Sequence, residues 1–157
     1  MPYGRKILVE PIITSDKIFV EKWLNEKISN PMEFDNETEF YSNKGVRVRS
    51  KSELIIANML EQYNVPYKYE RPLLLKKWGQ VRPDFTCLNV VQRKELIWEH
   101  FGMMDSPSYA NKNIVKMANY QQNGFFVGKN MITTFETSVC PISSLNVKKM
   151  IEHYLIQ

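Results

Sequence analysis

The stretch Glu95-Leu96-Ile97-Trp98-Glu99-His100-Phe101-Gly102 decides the fold and sets the chemical question. Its apolar centre has strand character and has to bury a sheet face, yet a carboxylate follows immediately at Glu99. An unpaired carboxylate in such a place is costly, so Glu99 sits outside the core or coordinates a cation. Two more acids stand at comparable points. Asp84, in Arg82-Pro83-Asp84-Phe85, heads the preceding strand-like run, and Glu53, in Ser50-Lys51-Ser52-Glu53, opens an apolar-periodic segment. Such a set suits magnesium, a hard ion held by one or two carboxylates together with a substrate phosphate.

Working outward, Ser50 with Glu53 three residues on is a capping-box signature, and Leu54, Ile55, Ile56, Met59, Leu60 and Tyr63 continue it as a helix ending near Asn64. Val65-Pro66 breaks that helix. Tyr67 to Leu75 is expected to be extended, and Gly79 marks a turn into Val81 to Val90, giving two antiparallel strands. Past the polar break at Gln92-Arg93-Lys94 comes the third strand, Glu95 to Phe101. Ser106 caps and Pro107 opens a helix to Gln122, which stops at Asn123-Gly124. Ala110, Ile114, Met117, Ala118 and Gln121 read as its inward side. Phe125 to Phe135 reads as a strand pair or one interrupted strand, and Val147, Met150, Ile151, Tyr154 and Leu155 mark a last helix. Helix, three strands, helix, strand, helix is an α/β or α+β order with a mixed sheet.

Residues 1–43 read as an N-terminal helical extension and linker: Ile18, Phe19, Trp23 and Leu24 fall at helical spacing, and an acidic stretch runs from Glu33 to Glu39. Residues 44–157 form the main domain. A polar lead-in of this kind is expected to connect to something upstream, so the chain can be part of a longer one. The 157 residues, 43% hydrophobic, suffice for one domain with a real core. A net charge of +4, a pI near 9 and 12% aromatic residues lean mildly towards a polyanionic partner. Cys87 and Cys140 are too few and too far apart for a metal knuckle, and each reads as a small buried hydrophobe. With no signal peptide or long apolar run, the expected location is cytoplasmic. His100 and His153 are the only histidines, which excludes histidine-rich metal sites.

Three separated motifs in order carry a resemblance: Val48-Arg49-Ser50-Lys51-Ser52-Glu53, Pro83-Asp84-Phe85-Thr86 and Trp98-Glu99-His100-Phe101-Gly102, with Tyr109, Lys116 and Tyr120 following at helical spacing. Over about residues 44–155 the chain resembles the PD-(D/E)XK nuclease superfamily, and within it a bacterial group of small proteins with these motifs. The resemblance implies an α/β, restriction-endonuclease-like core, a mixed sheet of about four to five strands flanked by helices, with the N-terminal helix as an accessory. It implies a magnesium- or manganese-dependent endonuclease hydrolysing DNA phosphodiesters, in which Asp84 and Glu99 ligate the metal beside the backbone carbonyl of His100, and Glu53 completes the site directly or through water. A homodimer is compatible with such an activity. The rival expectation is a catalytically inactive module of the same fold that binds DNA or a protein partner.

One position departs from the superfamily pattern. Its lysine belongs two residues after the second acid, on the same strand face, where this chain has Phe101. An amine from another element can replace it. Lys116 on the next helix is the first choice, with Lys112 and Gln121 as rivals and His100 as the strand alternative should a bulge turn it. Arg49, Lys51 and Lys112, with Tyr109 and Tyr120, are the candidate substrate contacts, and Arg47 adds to the basic cluster before Glu53. Each feature also has a structural reading: Glu53 as capping partner of Ser50, Asp84 as a turn residue, Glu99 in an ion pair, the basic cluster as solvated surface, Tyr109, Lys116 and Tyr120 as the wet side of a helix, and Tyr67, Tyr69 and Trp78 as core or hairpin packing.

Overall fold

The structure, a computed structural model, describes residues 14–28, 33–34 and 39–157. Most of the expected acidic linker lies outside them. The strand built on Leu96-Ile97-Trp98, β7 (Lys94–Phe101), sits inside a four-stranded sheet with β3 (Tyr67–Tyr69), β6 (Phe85–Asn89) and β8 (Met131–Phe135), in the order β3-β6-β7-β8. The first two pairings are antiparallel and β7 runs parallel to β8, so the sheet is mixed. A parallel step requires a crossover, and α3 (Pro107–Gln122) supplies it.

Alternation along β7 assigns its two faces. Leu96 and Trp98 join Phe85, Cys87 and Ile132 in the larger core cluster, closed by Ile56, Ala57 and Leu60 of α2 (Lys51–Gln62) and Val147 and Ile151 of α4 (Ser144–Tyr154). Ile97 faces the other way, into a smaller cluster with Tyr120 of α3, Met131 and Leu75. Helices therefore cover both faces of the sheet, an α/β architecture.

The extended run expected from Tyr67 to Leu75 divides at Glu70, whose φ is 51°. Only Tyr67–Tyr69 pairs with β6; β4 (Leu73–Leu75) and β5 (Gly79–Val81) form a separate hairpin. Lys77, at φ 64°, and Gly79, at φ 94°, turn that hairpin. The interrupted strand expected over Phe125 to Phe135 is reduced to Met131–Phe135, because the segment before it turns, with one bridge between Val127 and Met131. Cys87 is buried as expected, whereas Cys140 is exposed; both are free thiols.

The expected N-terminal helix is α1 (Asp16–Asn25), capped by Ser15, whose hydroxyl accepts from the N–H of Ile18. It docks through Trp23, which is buried and donates from Nε1 to Glu95 Oε2 at 2.8 Å. Lys68 lies over the Trp23 ring and pairs with Glu26 at 3.2 Å. The hairpin of β1 (Phe40–Tyr41) and β2 (Arg47–Val48) spans the expected boundary at residue 43, and the Lys44 N–H is held by Glu61 at 2.8 Å. No helix among the described residues is long and apolar enough to cross a membrane.

Candidate functional site

Pairing of Phe85 with Trp98 in the antiparallel β6–β7 ladder sets Asp84 beside Glu99 just past its last paired residues. The backbone N–H of His100 donates to Asp84 Oδ2 at 2.7 Å, fixing the aspartate at the sheet end. Glu99, only 2% exposed, points to the α3 face. There its Oε1 accepts from the Tyr120 hydroxyl at 2.6 Å and from Lys116 Nζ at 3.0 Å. These contacts leave a second oxygen of each carboxylate unused, Asp84 Oδ1 and Glu99 Oε2.

Three acids influence one another here. Burial first, then the charges of Glu99 and Glu53, push the Asp84 carboxyl well above the usual carboxylate range, against the opposing pull of the His100 N–H and the Lys116 ammonium. Burial likewise pushes Glu53 up, although its hydrogen bonds from Ser50 and Tyr69 oppose this. Tyr120 is pushed far up, by burial and then by the Glu99 charge, so its phenol stays a donor. A site with an excess of buried negative charge is one that a cation relieves.

Glu53 stands on the first turn of α2, where the capping reading is borne out. Ser50 Oγ accepts from the Glu53 N–H at 3.1 Å and donates to Glu53 Oε2 at 2.8 Å. Its other oxygen accepts from Tyr69 at 2.8 Å. Each oxygen thus accepts one hydrogen bond, and the charge of Glu53 acts on Asp84. The His100 ring follows strand alternation to the opposite face from Glu99. Its Nδ1 lies 2.8 Å from Thr134 Oγ1 and its Nε2 lies 2.6 Å from Glu136 Oε1. Thr134 Oγ1 also accepts from Trp98 Nε1, and donation of its own proton to Nδ1 satisfies the set with Nε2–H facing Glu136. No bulge turns the ring toward Glu99; both its nitrogens are engaged, and the ring borders the cavity that Asp84 and Glu53 line. Among the described residues no group of three or more His, Cys, Asp or Glu side chains stands as a metal cage.

The expected inward face of α3 holds only in part: Met117 packs partly buried against the smaller cluster and Ala110 is half-buried. Ile114 is 64% exposed and Ala118 and Gln121 are exposed, while Asn113 and Tyr120 are buried. Tyr120, expected to meet substrate, is wholly enclosed and serves Glu99 instead. Ser106 caps α3 by position only, without a side-chain hydrogen bond to the helix. Tyr109 lines a cavity of about 330 Å³ with Glu53, Asp84, His100 and Glu136, and its hydroxyl accepts from the Gly102 N–H at 3.1 Å. Lys51 is exposed at the start of α2, and Lys112 is exposed on α3. Arg49 is drawn into structure: it forks onto Glu70 at 2.6 and 3.1 Å and covers the Phe34 ring at 4.3 Å. Phe101, where the resemblance leads one to expect a lysine, is buried and stacked on Phe135 at 5.2 Å.

Glu136 was not among the sequence candidates. It follows β8 directly and gathers Ser52, the His100 ring and the Ile142 N–H, the last at 3.1 Å. Burial raises its carboxyl, but these hydrogen bonds outweigh that and hold it below the usual range. The available signal was its place at the carboxyl end of a parallel strand, where open α/β sheets build their sites.

The chain is 33% identical over 106 residues, 67% of its length, to an uncharacterized protein of Methanocaldococcus jannaschii. It spans only 9% of that relative's length. No family model matches the chain, and no solved structure matches it.

Proposed function

We propose that this domain is a metal-dependent nuclease of the PD-(D/E)XK type that hydrolyses phosphodiester bonds in DNA, with Asp84 and Glu99 holding magnesium or manganese. The reading is carried by one contact. Lys116 Nζ reaches Glu99 at 3.0 Å from the neighbouring helix, so an amine stands beside the second acid although the strand position for it holds Phe101. The raised Asp84 carboxyl beside the buried Glu99 suits a donor pair whose charge a single ammonium only partly balances. A bound divalent ion would supply a water of lowered pKa and neutralise charge on the transferring phosphoryl group. Around it Tyr120 orients Glu99, the His100 N–H orients Asp84, and Lys116 places a positive charge where negative charge develops on the reacting oxygens. Glu53 adds negative potential and, through water, an outer contact.

Purified protein supplied with manganese or magnesium should nick or degrade DNA, and Asp84→Ala or Glu99→Ala should remove that activity. Lys116→Met, which keeps the packing and deletes the charge, should lower cleavage while metal uptake persists. A folded protein equally inert with and without both acids, across single- and double-stranded substrates, overturns the enzymatic reading.

The second reading is a binding module that has lost catalysis, and the buried Phe101 favours it. Titration calorimetry separates the two: a live site takes up the divalent ion with proton release, whereas a decayed one binds DNA with an affinity that chelator leaves unchanged. Location in the cytoplasm, assembly as a homodimer and membership of a longer chain are parts of the same proposal. The match to 9% of a long archaeal protein supports the last of these.

A further inference from the structure

On the α3 side of the sheet a groove of about 410 Å³ runs between the β4–β5 hairpin and the helix, lined by Trp78, Val81, Arg82, Lys112, Val115 and Lys116. Its composition is half apolar and half cationic, and no carboxylate lines it. Trp78 is 47% exposed, unlike Trp23 at 6% and Trp98 at 0%, so hairpin packing does not consume its ring. The turn that carries it is fastened to the end of α3: the Lys76 N–H donates to Asn123 Oδ1 at 2.7 Å, and Asn123 Nδ2 donates back to the Lys76 carbonyl at 3.4 Å. The indole is thus presented from a pinned turn. Lys112, Val115 and Lys116 form the opposite wall at three- and four-residue helical spacing. Lys116 belongs to both places, since it lines the groove and touches Glu99.

We infer that this groove seats an unpaired nucleotide of single-stranded DNA next to the scissile phosphate, its base stacked on Trp78 and its phosphate paired with Lys112. The inference rests on the nucleic-acid reading of the Asp84–Glu99 site and specifies its substrate. An apolar ring beside cations complements a nucleotide, which offers a π face and an anionic phosphate at fixed separation. Duplex DNA keeps its base faces stacked inside the helix, so the indole discriminates between the two forms.

The full chain, in EDTA, is titrated with an oligothymidylate of about eight nucleotides, within the usual single-strand site sizes, and separately with the matching duplex. Tryptophan emission and the anisotropy of a labelled strand are both read. With Trp23 and Trp98 buried, the emission change reports Trp78. Saturable quenching with tighter binding of the single strand is expected, Trp78→Phe should keep most of that preference, and Trp78→Ala should weaken single-strand binding roughly tenfold or more. Lys112→Ala should reduce the salt slope by about one. Equal affinity for both forms, or Trp78→Ala indistinguishable from wild type with its fold verified by circular dichroism, overturns the inference. Because the assay needs no metal, it stands apart from catalysis. Binding that survives in Asp84→Ala without any cleavage by the parent would sink the enzyme and keep the groove, whereas metal-dependent cleavage insensitive to Trp78 would do the reverse.

Discussion

The two faces of β7 place ionisable side chains one residue apart and treat them in opposite ways. On one face the His100 ring is closed off by Thr134 and Glu136, each nitrogen with a partner, and Glu136 is held in its charged form. On the other, Glu99 meets one phenol and one ammonium, while the charge of its neighbour Asp84 is disfavoured by burial first and then by the charges of Glu99 and Glu53. A satisfied polar network specifies a fold, and an unsatisfied one marks a place where a ligand completes the charge balance. On the proposed function, the chemistry falls to Asp84 and Glu99, and the His100 ring, which borders the same cavity as Asp84, serves as structure.

The sharpest way to break that assignment is to remove one side chain from each face. Glu99→Ala should lower metal-dependent cleavage by about a hundredfold or more, the loss typical of deleting an electrostatic element of a site. His100→Ala should leave cleavage within about tenfold of wild type, yet destabilise the fold by about 1–3 kcal/mol by taking one buried partner each from Thr134 and Glu136. Cleavage rates beside denaturant midpoints decide the matter, and a reversed pattern would move the centre to Glu136.

Phe101 sharpens the comparison from the end of the same strand. It lies on the Glu99 face, stacked on Phe135 and fully enclosed. Phe101→Lys would place a lysine where the proposed nuclease reading expects one but bury an ammonium where an aromatic ring packs. The expected result is a loss of about 3 kcal/mol or more, comparable to deleting a core phenylalanine, with no rescue of a Lys116→Met variant. Recovery of activity in the double variant would show that the strand position can still serve.

These contrasts also explain what was legible in the sequence. The capping of α2, the alternation of β7 and the crossover helix were readable because each depends on nearby residues and a fixed period. The split at Glu70 was not, since a left-handed glutamate follows no local preference and is imposed by its surroundings. The face of α3 was misread because hydrophobicity favoured Ile114 and Ala118, whereas the helix is turned by Tyr120 reaching a buried carboxylate. A polar bond formed across the sheet leaves no periodic trace. Glu136 had only its place at a strand end to mark it: its three partners come from α2, β7 and the loop after β8, and no spacing records their meeting.

The smallest effect bears directly on the charge imbalance. Asp84 has a raised pKa in the folded chain, so the folded state holds its proton more tightly than the unfolded state does. Below the ordinary carboxylate range both states are protonated and nothing is lost. As pH climbs from that range through the raised folded value, the unfolded state releases its proton first and stability falls. Asp84→Asn carries no charge to bury, and an amide can still accept from the His100 N–H. In metal-free buffer it should therefore be more stable than wild type at neutral pH by about 1 kcal/mol, a gain of the size seen when a functional site is relieved, and the difference should vanish in acid. Adding manganese should close the gap by stabilising wild type alone, through binding to the folded state. Thermal melts across pH with and without the ion measure both terms. A variant no more stable than wild type at neutral pH would mean that Lys116 already balances the acids, leaving the Glu99 face as satisfied as the His100 face.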